Sequence, residues 1–70
     1  MNGSIKIKID MDLMQIKNAS DLFMSTDNEK YLEKQSFLFA KFSGYIDALF
    51  DVDAIDFDEW KKYLLMTYKI

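Results

Sequence analysis

Six carboxylates stand within thirteen residues of one another, Asp47, Asp51, Asp53, Asp56, Asp58 and Glu59, with no lysine among them. Carboxylates at that density have three chemical uses. They ligate a hard divalent cation, they work as a paired acid and base, or they present negative charge to a basic partner. Acid–base work needs one carboxyl moved from its ordinary pKa by burial in a cleft, and a chain of 70 residues is too small to enclose a deep one. Other common chemistries lack their residues. There is no histidine and no cysteine, which excludes disulfides, His- or Cys-ligated zinc, haem and iron–sulfur centres, and imidazole catalysis. Serines such as Ser4, Ser20, Ser25 and Ser36 have only lysine as a conceivable activating base, and no glycine-rich phosphate loop is present. The sequence therefore predicts no enzyme and no cofactor or metal.

Within the acidic run, Asp51-Val52-Asp53 resembles the opening of an EF-hand calcium loop, and Ile55-Asp56-Phe57-Asp58-Glu59-Trp60 resembles its close. That loop spreads its ligands over twelve residues with a glycine at the sixth. Asp51 to Glu59 is nine residues without a glycine, so the resemblance does not extend to a calcium site. Two readings remain for the six acids: a docking surface for a protein partner of unknown identity, formed together with exposed aromatics of the C-terminal helices, or a solvated turn whose carboxylates cap a helix.

The elements that carry these residues begin with an alternating segment. Ile5, Ile7, Ile9, Met11 and Leu13 interleave with Lys6, Lys8, Asp10 and Asp12, and a period of two with β-branched residues predicts a half-buried strand over about 4–10. A second signal competes from Asp12 onward. Asp12 with Gln15 fits a capping box, and Met11 with Ile16 fits the staple around it, predicting a short helix from Leu13 toward Phe23. The alternative is a second strand through Ile16 that turns at Asn18-Ala19-Ser20-Asp21.

Thr26-Asp27-Asn28-Glu29 reads as a capping box that opens a long helix over about 27–50. Tyr31, Leu32, Leu38, Phe39, Phe42, Tyr45, Ile46 and Leu49 give it a broad apolar stripe, and Gly44 within the stripe predicts close approach of another backbone. Asp56 as N-cap, Glu59 three residues on, and Ile55 with Trp60 as staple open a last helix over about 57–68. Lys69 would favour the C-terminal end of its dipole. Two amphipathic helices with so short a link fold back as an antiparallel hairpin. The expected fold class is α+β: strand, short helix and helical hairpin in a single domain.

A lone strand leaves its ladder unpaired. Phe37 and Phe50 lie off the stripe of the long helix, so one partner helix cannot cover it. Both features predict a homodimer with Ile5, Ile7, Ile9, Phe37 and Phe50 at its interface. A strand shared across a two-fold axis and followed by helices resembles the ribbon-helix-helix repressors over residues 4–45. The resemblance implies that Lys6 and Lys8 point outward from the ribbon to read DNA, with Thr26-Asp27-Asn28 capping the second helix near phosphate. Charge opposes it: nine lysines and no arginine face twelve acids, for a net charge of −3, and Asp10 and Asp12 would face the DNA. Nucleic acid is therefore not an expected partner.

Half the residues are apolar and eleven are aromatic, a composition that folds. No apolar run is long enough to span a membrane and no apolar leader is visible, so the expected compartment is the cytoplasm. The leading expectation is a non-enzymatic protein-interaction domain, an accessory, inhibitor or regulatory protein of the size found among phages and mobile elements. A ribbon-helix-helix DNA-binding regulator is the alternative.

Overall fold

A computed structural model describes residues 3–68 and contains three helices, α1 (Gly3–Thr26), α2 (Glu29–Asp51) and α3 (Phe57–Tyr68). Among the described residues there is no strand, so the α+β expectation is corrected to an all-α fold. Lys69, expected at the end of α3, lies outside the described residues.

The N-terminal segment is helical for reasons present in the same alternation that suggests a strand. A run with every second residue apolar contains a spacing of four as a subset. Ile5, Ile9 and Leu13 are that subset, and Ile16 and Ala19 continue the same helical face. Ile9, Leu13, Ile16 and Ala19 are buried and Ile5 packs against them, whereas Ile7 and Met11, the remainder of the alternation, stay exposed. The polar positions pair at the same spacing, with Lys6 Nζ 2.6 Å from Asp10 Oδ1 and Lys8 Nζ 3.1 Å from Asp12 Oδ2. The Asp10 hydrogen bond holds the Lys6 ammonium above the usual lysine value, against an opposing push from desolvation. Such solvent-exposed pairs are screened and add little to stability. Backbone satisfaction and burial decide the outcome: a helix closes its hydrogen bonds within the segment, and a lone strand cannot.

The ribbon-helix-helix alternative loses its ribbon with this correction. Instead of facing DNA, Lys6 lies over the Tyr63 ring at 6.0 Å and Lys8 over the Tyr45 ring at 4.7 Å, which ties α1 to α3 and to α2.

Thr26 closes α1 rather than capping α2, its hydroxyl donating to the Leu22 carbonyl at 2.6 Å. Asp27 then takes φ 53° and donates its N–H to the Phe23 carbonyl at 2.7 Å. This is the single-bond left-handed cap, a conformation that Asp tolerates better than most residues. Asn28 is the N-cap of α2, its side-chain oxygen accepting the Lys30 N–H at 3.0 Å.

Ring contacts show the direction of the second turn. Phe50 meets Phe57 where α2 passes to α3, and Phe39, farther back along α2, meets Tyr68 at the end of α3. The two helices are therefore antiparallel. The core consists of Ile9, Leu13 and Ile16 from α1, Phe42 and Ile46 from α2, Ile55 from the turn and Tyr63 from α3. The long dimension, 39 Å, is set by α1, whose 24 residues span about 36 Å at 1.5 Å per residue.

Gly44 does not mark a close backbone approach. It is exposed, and a Cβ built there meets nothing within 4 Å. Gly44→Ala is expected to raise stability by about 1 kcal/mol through helix propensity alone, read as an upward shift of the urea midpoint with an unchanged slope.

Candidate functional site

The six acids lie along the end of α2, the turn and the first turn of α3, and most have a local task. Asp47 Oδ1 accepts the Trp60 indole N–H at 2.7 Å, linking α2 to α3. Asp51 is the last residue of α2. Asp53, at φ 60°, occupies the left-handed position of a Schellman cap: its N–H donates to the Phe50 carbonyl at 3.1 Å, and the Ala54 N–H donates to the Leu49 carbonyl at 2.8 Å. Asp56 and Glu59 cap α3 reciprocally. Asp56 Oδ1 accepts the Glu59 N–H at 2.8 Å, and Glu59 Oε1 accepts the Asp56 N–H at 3.3 Å. Asp58, exposed in the first turn of α3, sits where the dipole favours a negative charge. Among the described residues no three carboxylates converge on a point that could hold a metal ion.

An aromatic patch spans the same turn, with Asp47 bonded to one of its rings. Phe50, Phe57 and Trp60 contact one another, with ring centroids 6.4 Å apart for Phe50–Phe57 and 5.6 Å apart for Phe50–Trp60 and Phe57–Trp60. Trp60 is half-buried and packs against the core cluster, of which Ile55 is a member. Phe57 remains 57% exposed and Phe50 36%, and Val52 on the turn is exposed as well. The acids are legible from the sequence. That exposed aromatics of the hairpin join them is expected as well, but which rings meet is not legible, because Phe50 and Phe57 come from opposite sides of the turn and only its geometry joins them.

The five residues expected at a dimer interface do not share a surface. Ile9 is fully buried in the core, Ile5 packs against that core, and Phe50 belongs to the aromatic patch. Ile7 on α1 and Phe37 on α2 are exposed, at 61% and 67%. Without a strand, the pairing that would have brought Ile5, Ile7 and Ile9 to one seam is removed.

A second surface feature lies away from the acids. An open groove of about 650 Å³ runs along α1 beside α3, lined by Asp10, Leu13, Met14, Lys17, Asp21 and Met66, together with Asn18.

No helix of the described residues is long and apolar enough to cross a membrane. Compared with known proteins, the chain matches no family model, no curated protein and no solved structure. These comparisons give no support to the phage or mobile-element origin or to the inhibitor role expected from chain size.

Proposed function

We propose that the protein is a non-enzymatic interaction domain that binds another protein through the Phe50–Phe57–Trp60 patch and its acidic surround. The partner surface it suits is apolar at the centre and basic at the edge. The observation that carries this reading is the exposure of Phe57 within a patch of three mutually packed rings. Interface energy concentrates in clustered aromatic anchors, and surrounding charges set encounter rate and partner choice. Residues 42–60 contain six acids and no lysine, so the turn itself is net negative, with Lys6 and Lys8 of α1 standing over Tyr63 and Tyr45 beyond it. Several of these acids also cap helices, which does not remove their charge from the surface.

A synthetic amphipathic helix with one leucine face and one lysine face tests the reading, with Trp60 fluorescence and amide shifts as readouts. Binding is expected to perturb Phe50, Phe57 and Trp60 and to weaken with added salt. Phe57→Ser should weaken it at least about tenfold, as should exchanging the peptide's lysines for glutamine. Equal affinity for Phe57→Ser, or shifts located elsewhere, would overturn the proposal.

A further inference from the structure

The stripe of α1 that bears the groove has a charge order that reads the same for two antiparallel copies, with Asp10, Lys17 and Asp21 lining the groove and Lys6 one turn beyond it. Lys6, Asp10, Lys17 and Asp21 are spaced four, seven and four residues apart, so an α-helix places all of them on one stripe. The signs run plus, minus, plus, minus. Asp10 and Lys17 stand equally far from the Leu13–Met14 bond on its two sides, and so do Lys6 and Asp21. We infer that α1 is a homodimer interface in which a second copy lies antiparallel across this groove, its two-fold axis passing beside Leu13 and Met14. Asp10 then faces Lys17 of the second copy, Lys6 faces Asp21 of the second copy, and the symmetry repeats both contacts.

Three further observations support a second copy as the occupant. Leu13, Met14 and Met66 supply an apolar floor where the two-fold axis would pass, and the unbranched, polarizable Met side chains adapt readily to a partner surface. Among the described residues neither Lys17 nor Asp21 forms an ion pair within the chain, so both charges are available. Asp10 already holds Lys6 at 2.6 Å, and Lys17 of the second copy would extend that contact into a network, the arrangement in which surface charges contribute measurably. An isologous interface requires this self-complementarity; a foreign helix would have no reason to share it. The surface is separate from the aromatic patch and does not depend on the function proposed for it.

Sedimentation equilibrium of the full chain from micromolar to millimolar concentration tests the inference, with circular dichroism confirming that each variant is folded. The wild type is expected to dimerise, more weakly at high salt. Lys17→Glu places a like charge opposite Asp10 twice per dimer and should weaken association at least about tenfold. Combining Asp10→Lys with Lys17→Glu exchanges the two signs and should restore association to within about threefold of the wild type, as a coupled pair in a double-mutant cycle does. A wild type that stays monomeric throughout would overturn the inference and leave the groove to a helix of another protein. A Lys17→Glu variant that associates like the wild type, or a double variant that is not rescued, would overturn it equally.

Discussion

Ile9→Asp is expected to unfold the protein, while Ile7→Asp, two residues earlier, leaves it folded with a urea midpoint close to that of the wild type. Ile9 has no solvent exposure and Ile7 has 61%. An aspartate at Ile9 combines the loss of a core side chain, about 2–5 kcal/mol, with the burial of a carboxyl that has no partner. A domain of this size rarely has more than about 3–5 kcal/mol in total. At Ile7 the same change exchanges one exposed side chain for another and belongs to the class of surface substitutions within about ±0.5 kcal/mol. Circular dichroism in urea reads both variants. The pair also tests the N-terminal architecture, because a strand would put both isoleucines on one face and make the two losses equal.

Trp60→Ala should cost about 3 kcal/mol, the low end for removing a large aromatic from a packed position, since the ring is half-buried. The change removes the contacts with Phe50 and Phe57 and the hydrogen bond to Asp47, which together hold the start of α3 against the end of α2. Trp60→Phe keeps a ring in place and loses the indole donor, so its cost should be near the net value of one hydrogen bond, about 1 kcal/mol. Urea melts of the two variants separate the terms. A loss below about 1 kcal/mol for Trp60→Ala would mean that α3 docks through Ile55 and Tyr63 without it.

Legibility in the sequence followed the range of the interaction. The Asp56–Glu59 capping box is a local signal, complete within four residues, and the structure forms both of its hydrogen bonds. The two C-terminal helices fall close to the expected 27–50 and 57–68, at 29–51 and 57–68, because their apolar residues recur at three and four. The segment from Ile5 to Leu13 misled because alternation satisfies the strand period and also contains the helix period. The features that separate the two were present: lysine and aspartate at spacings of four, and an apolar face that continues through Ile16 and Ala19 at spacings of three. At the candidate site the acids could be read and the particular rings of the aromatic patch could not, since no sequence window shows that Phe50 and Phe57 meet across a turn closed by a left-handed aspartate. Asn28, rather than Thr26, caps α2 because Asp27 takes the left-handed conformation and uses Thr26 as the end of α1.

The helices pack chiefly in the order they follow in the chain, α1 against α2 and α2 against α3. Each of these pairs is closed by a short turn with its own caps, so only the lighter contacts of α1 with α3, such as Lys6 over Tyr63, wait on both turns. The entropy of loop closure that precedes each contact is correspondingly small. Chains with this topology reach the native state in microseconds to milliseconds, which leaves the exposed isoleucine, methionine and phenylalanine side chains little time in an unfolded ensemble where they could associate with other chains.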